Sequence, residues 1–246
     1  MIVTVIGEYC EDIFIYGDTP RLSPEAPVPV FIPKITKINN GMSGNVIENV
    51  KSIYPNCRII GFHQSNKITK TRYVDDKSNH MFIRIDIGEN DIDKLNLNVS
   101  KTNTIKNSDI VIVSDYDKGF LDLDLIEEIG KISKLSILDS KKKLTKKVID
   151  SFTFVKLNQF ESEANTGLID NGNIIITIGN KGCMYNGKIF DSPSPRETID
   201  VSGAGDTFTS SFILKYFETK DIDKSLIFAN QVASIVVSKR GVTTPF

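Results

Sequence analysis

Short apolar runs rich in β-branched residues punctuate the chain at Ile2 to Ile6, Ile110 to Ser114, Leu135 to Leu138, Phe152 to Leu157 and Ile174 to Ile178, with helix-compatible stretches between several of them. Runs of this kind suit strands buried on both faces. Their alternation with helices predicts an α/β fold, a mainly parallel central sheet with helices on both faces. Two stretches do not fit a covered sheet. Phe14 to Ile38 is proline-rich and contains alternating segments such as Val28-Pro29-Val30-Phe31-Ile32, and Lys70 to Ile87 alternates polar and apolar residues around Arg72, Tyr73, Phe82, Arg84 and Asp86. Both read as strands of a separate small β-sheet, within 12–40 and 70–88, with Pro27 and Pro29 suited to an edge strand. Helical spacing recurs at Phe208, Phe212, Ile213, Tyr216 and Phe217, and again at Leu226, Ile227, Val232, Ile235 and Val236. The polar run Asp91 to Asn107 reads as a surface connection, no internal repeat is visible, and residues 1–246 read as a single domain.

Polar residues collect just after the apolar runs: Glu8 and Asp12, Asp115 and Lys118, Asp139 and Lys141, Asn158 and Glu161, and Gly179. In parallel sheets, ligands bind beyond the carboxyl ends of the strands, so this clustering points to a site there. Charge narrows the ligand class. Thirty Lys plus Arg nearly cancel 31 Asp plus Glu, so no global field attracts nucleic acid or an anionic membrane. Three scattered cysteines (Cys10, Cys57, Cys183) with no Cys-x-x-Cys spacing argue for a reducing, cytoplasmic setting, and His63 and His80 are too few for a histidine-based metal site or a Ser/His/Asp triad. The first apolar run is too short, and too soon followed by Glu8, Glu11 and Asp12, for a signal peptide, and no run reaches the length of a membrane span.

Residues 200 to 208 read Asp-Val-Ser-Gly-Ala-Gly-Asp-Thr-Phe. The helical pattern beyond them puts Gly203-Ala204-Gly205 at a helix N-terminus, where free N–H groups gather positive charge and bind anions. Asp206, on the first turn, could take a proton from a hydroxyl attacking a phosphorus atom held over those N–H groups. A tight turn followed by a helix-start aspartate explains the same residues equally well.

The whole stretch closely resembles the C-terminal signature of the PfkB/ribokinase family of sugar kinases. The N-terminal residues Gly7-Glu8-Tyr9-Cys10-Glu11-Asp12, Tyr16-Gly17 and Arg21 to Val30 resemble the bacterial heptose 7-phosphate kinase domain, the kinase half of a bifunctional ADP-heptose synthesis enzyme. The similarity continues through Gly41 to Asn45, Lys70 to Arg72, Arg84 to Asp86, Ser114 to Gly119, Asp139 with Lys141, Asn158 to Glu161, Thr177 to Gly182 and Lys239 to Pro245. It implies a ribokinase-like fold whose small sheet is a lid, pairing with a second copy in a homodimer. It also implies ATP and a small-molecule sugar as substrates, with no nucleic acid or membrane partner. Asp206 would be the base and Gly203, Ala204 and Gly205 the anion cradle. Asn158 and Glu161 would organise Mg²⁺ through water, and Lys118, Thr177, Gly179, Gly182 and Asn230 would meet the nucleotide. Asp12, Gly41, Asn45, Arg72 and Arg84 would hold the sugar, the arginines reading an acceptor phosphate. A monovalent cation is left open.

The implied reaction is ATP-dependent phosphorylation of a hydroxyl, the anomeric one, of a heptose 7-phosphate or related sugar phosphate, for surface polysaccharide precursors. A kinase for another sugar or a nucleoside, or a non-catalytic sugar- or nucleotide-binding descendant, are the alternatives. Departures from the family pattern include Met42 at a usual glycine, Glu8 at a usual Asp, Ser140 at a usual Pro, and only about a dozen residues, Ser162 to Asn173, before the next strand. The usual fused nucleotidyltransferase is missing, so a separate protein is expected to activate the product.

Overall fold

The computed structural model describes residues 1–169, 171–193, 203–239 and 243–246. In chain order, β1 (Ile2–Gly7) is followed by β2 (Tyr9–Leu22), β3 (Pro29–Met42), α1 (Ser43–Ile53) and β4 (Arg58–Phe62). Next come β5 (Thr69–Asp75), β6 (Met81–Ile87), α2 (Val99–Asn107), β7 (Ile110–Asp115), α3 (Leu123–Ile132), β8 (Ser136–Ser140), α4 (Lys146–Ser151) and β9 (Phe154–Asn158). The chain closes with α5 (Gln159–Ala164), β10 (Ile174–Thr177), β11 (Cys183–Tyr185), β12 (Lys188–Phe190), α6 (Ala204–Thr219) and α7 (Ile222–Val236). Asp200, Val201 and Ser202 of the glycine-rich stretch, and 240–242 near the C-terminus, lie outside the described residues.

The large sheet has the order β12-β11-β10-β9-β8-β7-β1-β4, parallel from β4 through β10 and antiparallel at β11 and β12. Alternate residues of each strand feed two cores. On one face Val3, Val5, Ile110, Ile112 and Ile137 meet Val46 and Val50 of α1, Phe208 and Phe212 of α6, and Leu226 of α7. On the other, Ile6, Val111, Val113, Leu138 and Val155 meet Ile105 of α2, Ile126 and Ile129 of α3, and Val148 and Ile149 of α4. Both faces are covered, which is why these strands read as unbroken apolar runs rather than as alternation. From β1 the chain steps to β4 on one side through α1 and to β7 on the other through α2, with the two helices on opposite faces, so the strand order reverses beside β1. Such a switch point opens a crevice at the strand ends.

The small sheet, β3-β2-β5-β6, rises from those ends. Its register explains the alternation of its strands. Asn39, Asp12, Lys70 and Asp86 lie abreast across the four strands, as do Lys37, Phe14, Arg72 and Arg84, so one face is polar and cationic. The rungs between them, Ile38-Ile13-Thr71-Ile85 and Thr36-Ile15-Tyr73-Ile83, form an apolar opposite face on which Ile38, Ile83 and Ile87 are 62%, 54% and 61% exposed. Pro29 and Pro33 fall on β3, an edge strand.

The polar run Asp91 to Asn107 is less of a loop than its composition suggests. Its second half is α2, capped by the Asn98 side chain and anchored by fully buried Ile105, while Leu95 is buried ahead of it. Two apolar contacts outweigh a polar average there. After Glu161 the chain is brief: α5 has six residues before a single 3₁₀ turn at Thr166–Leu168.

Candidate active site

α6 begins at Gly203, which adopts φ 80° and supplies no side-chain cap, so among the described residues no side chain caps the first-turn amides of the helix. Asp206 projects from that turn and is only 6% exposed. Asn45 Nδ2 donates to its Oδ2 at 2.8 Å, and the Tyr116 hydroxyl donates to its Oδ1 at 2.9 Å. Burial pushes the Asp206 carboxyl up to about 6; the two hydrogen bonds pull the other way, and the nearby negative charge of Asp139 adds to the rise.

Two cavities meet at this residue, and a third adjoins them at Gly205. A cationic cavity of about 290 Å³ is walled by Asp12, Gly41, Asn45, Arg72 and Arg84, with Lys70, Lys118 and Lys141 joining them. A carboxylate-rich cleft of about 110 Å³ runs past Asp139, Lys156, Asn158 and Glu161, and it shares Tyr116, Lys141, Gly203 and Asp206 with the first. An apolar cavity of about 210 Å³ lies beyond Gly205, between Thr177, Gly179 and Gly182 on one side and Phe208, Ala233 and Val237 on the other. Ala204 lines the apolar cavity, and Gly205 lines both that cavity and the cleft.

The cationic cavity is held by charge pairs. Arg72 pairs with Asp12, Arg84 lies bidentate on Asp86 at 2.7 and 2.6 Å, and Glu89 is shared by Lys70 and Lys118. Gly41 is required at its place: a Cβ there would lie 2.3 Å from Asp12 Oδ2 and 2.6 Å from Cys10 Sγ. Met42, where a glycine is usual, is 4% exposed, lines the cavity floor and adopts φ 54°, a left-handed conformation unfavourable for an unbranched side chain.

Beneath the cleft, Lys156 Nζ sits 3.0 and 3.1 Å from the two Asp139 oxygens, and Thr209 Oγ1 donates to the same carboxylate at 3.1 Å. Burial alone would lower the Lys156 pKa, but the attraction of Asp139 and Glu161 outweighs it and holds the ammonium charged. A Cβ on Gly205 would come within 3.2 Å of Lys156 Nζ, so the glycine lets the turn rest directly on this cation. Asn158 and Glu161 form a capping box: Asn158 Oδ1 accepts from Glu161 N at 2.8 Å, while Asn158 N and Nδ2 donate to the two Glu161 oxygens at 2.7 Å each. The same pair lines the cleft, so the helix-start and ligand readings of these residues are compatible. Among the described residues no group of three or more His, Cys, Asp or Glu side chains is assembled for a directly bound metal. The oxygen-rich cleft suits a Mg²⁺ that keeps its waters and arrives with phosphate.

Two residues expected to meet the nucleotide are placed as follows. Lys118, expected to neutralise nucleotide phosphate charge, lines the cationic cavity, where Glu89, at the root of the small sheet, draws its ammonium to 2.6 Å. Asn230 does not line the apolar cavity. It is 4% exposed and donates to the Phe190 carbonyl at 2.8 Å, fastening β12 to α7, and the wall is formed one turn later by Ala233, Ser234 and Val237. Two further residues shape the site, Tyr116 and Glu8, neither of which was given a role from sequence. Tyr116 holds Asp206, and Glu8, fully buried, accepts from the amides of Tyr116, Lys118 and Phe120 at 2.8, 3.0 and 3.2 Å, shaping the loop that presents Tyr116. Their signal was positional: each directly follows or ends a strand at the switch point.

The fold is shared with solved kinases. The ribokinase of Thermotoga maritima superposes with a TM-score of 0.73 at 17% identity, covering 98% of this chain and 94% of that one. The Arabidopsis thaliana ribokinase complexed with ribose and ATP gives 0.70 at 15% identity, covering 97% and 93%. Phosphofructokinase-2 from Escherichia coli in complex with potassium gives 0.72 at 14%, covering 98% and 94%. In sequence, the bifunctional protein HldE of Helicobacter pylori strain J99 is 29% identical over 97% of this chain and 63% of its own length, and that of Bradyrhizobium diazoefficiens is 29% identical over 97% and 60%. The chain therefore spans somewhat under two thirds of these relatives. The family model described as pfkB family carbohydrate kinase matches residues 63–246, most of the chain, and the protein belongs to that family of phosphotransferases acting on sugar hydroxyls.

Proposed function

We propose that the chain is a cytoplasmic, ATP-dependent kinase for the anomeric hydroxyl of a heptose 7-phosphate or a related sugar phosphate, serving the synthesis of surface polysaccharide precursors. The observation that carries this reading is the position of Asp206, at the meeting point of a cationic cavity and a cleft floored by uncapped helix amides. The sugar would occupy the cationic cavity, the phosphates of ATP the cleft, and the adenosine the apolar cavity. The sugar oxygen attacks the terminal phosphorus, Asp206 takes the hydroxyl proton, and the bond from that phosphorus to the ADP oxygen breaks while the amides of 203–205 hold the transferring oxygens. Mg²⁺ bound to ATP would neutralise phosphate charge, with Glu161 and Asn158 reached through water.

An acceptor phosphate is supported by the five cationic side chains on the cavity wall, more than hydroxyl groups alone require. ATP consumption measured against heptose 7-phosphate, fructose 6-phosphate, ribose and nucleosides is expected to show kcat/KM for a phosphorylated sugar at least about 10²-fold above the others. Equal rates with unphosphorylated sugars would remove the acceptor phosphate, and silence across the set would favour a binding protein.

The small sheet would act as the lid and as the seat of a homodimer. Its outward apolar face, with Ile13, Ile15, Ile38, Ile83 and Ile85 from three of the four strands, is the kind of patch that mates. Ile83→Glu combined with Ile38→Glu is expected to convert a dimer into a monomer by sedimentation equilibrium, and an unaltered chain that sediments as a monomer at micromolar concentration would defeat the idea. No helix among the described residues is long and apolar enough to cross a membrane.

A further inference from the structure

Six basic side chains line the cationic cavity and the adjoining cleft: Lys70, Arg72, Arg84, Lys118, Lys141 and Lys156. Five have a carboxylate partner. Lys70 and Lys118 share Glu89, Arg72 has Asp12, Arg84 has Asp86 and Lys156 has Asp139. Among the described residues Lys141 has no carboxylate within ion-pair distance; its Nζ rests 4.1 Å from the centre of the Tyr116 ring. It is also the one cation of the six that lines both cavities, at the boundary where Tyr116 and Asp206 are found. A phosphoryl group moving from the amides of 203–205 to a hydroxyl beside Asp206 must cross that boundary.

We infer that Lys141 is a catalytic residue of this chain, leaving the Tyr116 face to bind the oxygens of the phosphoryl group in transit. The inference rests on the kinase reading above. A paired cation meets a phosphate only while sharing or releasing its carboxylate, whereas Lys141 gives up only a ring contact. Its charge adds most when the transferring group is bonded to neither oxygen and both cavities contribute negative groups. Atoms balance without it: Lys141 remains protonated, and Asp206 alone takes the acceptor proton.

Lys141 is exposed, so Lys141→Met should leave folding intact, and its thermal midpoint serves as the control. The expected result is a fall in kcat of about 10²–10³-fold with KM for ATP and acceptor within about threefold, largely recovered by Lys141→Arg. Binding of ADP with aluminium fluoride and acceptor, read by calorimetry, should weaken by a similar factor while ATP affinity holds. An active unaltered chain whose Lys141→Met variant keeps its kcat, or loses ATP affinity as much as fluoride-complex affinity, overturns the inference alone. An unaltered chain that consumes no ATP with any acceptor overturns the kinase reading and takes this one with it.

Discussion

Replacing Asp206 by Asn is expected to lower kcat by about 10²–10⁴-fold while ATP affinity, read by calorimetry, changes by less than about threefold. Asparagine keeps the size of the side chain and can still accept from Tyr116, but it cannot take a proton. The same variant has a second expected property. The Asp206 carboxyl titrates at about 6 in the fold against an ordinary 3.8, so between those values the folded state holds a proton that the unfolded state has released. Stability therefore falls as pH rises through that window, and at neutral pH the charged, buried base costs roughly 3 kcal/mol. Asp206→Asn should consequently be at least as stable as the unaltered chain at pH 7 in urea unfolding, and inactive. For the active chain, kcat/KM should decline about tenfold per unit as pH drops below about 6, where the base becomes protonated. Equal turnover in the Asn variant, or a rate that does not change between pH 5 and pH 7, would dismiss Asp206 as the base. A site that stabilises a transition state at the expense of the fold is what both results together would describe.

The apolar runs made the parallel sheet legible because strands buried on both faces are built mostly of apolar residues, with the few polar ones paired, and β1, β7, β8, β9 and β10 all fall on them. Alternation made the small sheet legible for the converse reason: Phe14, Arg72 and Arg84 look inward while Ile13, Tyr73 and Ile83 look outward. The three-residue strands β11 and β12 were not legible, since no period shows in three residues, and they are defined by pairing to β10 rather than by composition. The glycine turn and Asp206 are neighbours in sequence, so their relation could be read directly. Lys118 could not: a long side chain takes its direction from a partner, and Glu89 is 29 positions away. Tyr116 and Asp206 are separated by 90 positions and Asn45 and Asp206 by 161, so the hydrogen bonds that shape the base exist only once the switch point has formed. Asn230 fits both a ligand wall and a structural fastening by residue type, and only the neighbouring Phe190 carbonyl decides between them.

Lys156→Met should destabilise the fold by about 3–5 kcal/mol, because it strands a carboxylate that has no comparable partner. The two side chains are 6% and 14% exposed, Lys156 lies opposite Asp139 in the register of β9 and β8, and among the described residues the Thr209 hydroxyl alone would remain to hydrogen-bond Asp139. Desolvating both charges offsets most of what their attraction supplies, so removing both should be far milder than removing one. Asp139→Leu with Lys156→Met is expected to unfold in urea within about 1 kcal/mol of the unaltered chain. Should the single variant cost less than about 1 kcal/mol, the pair is better solvated than its burial indicates and the argument fails. The double variant then isolates the reason for the pair. Lys156 Nζ lies against the Gly205 turn and lines the cleft, so a stable protein without it would retain the amides of 203–205 but lose the positive charge beneath them. Its kcat should fall although its stability does not, which would assign the buried ion pair to phosphate charge at the cleft rather than to holding β8 and β9 together; full activity in the stable double variant would reverse that assignment.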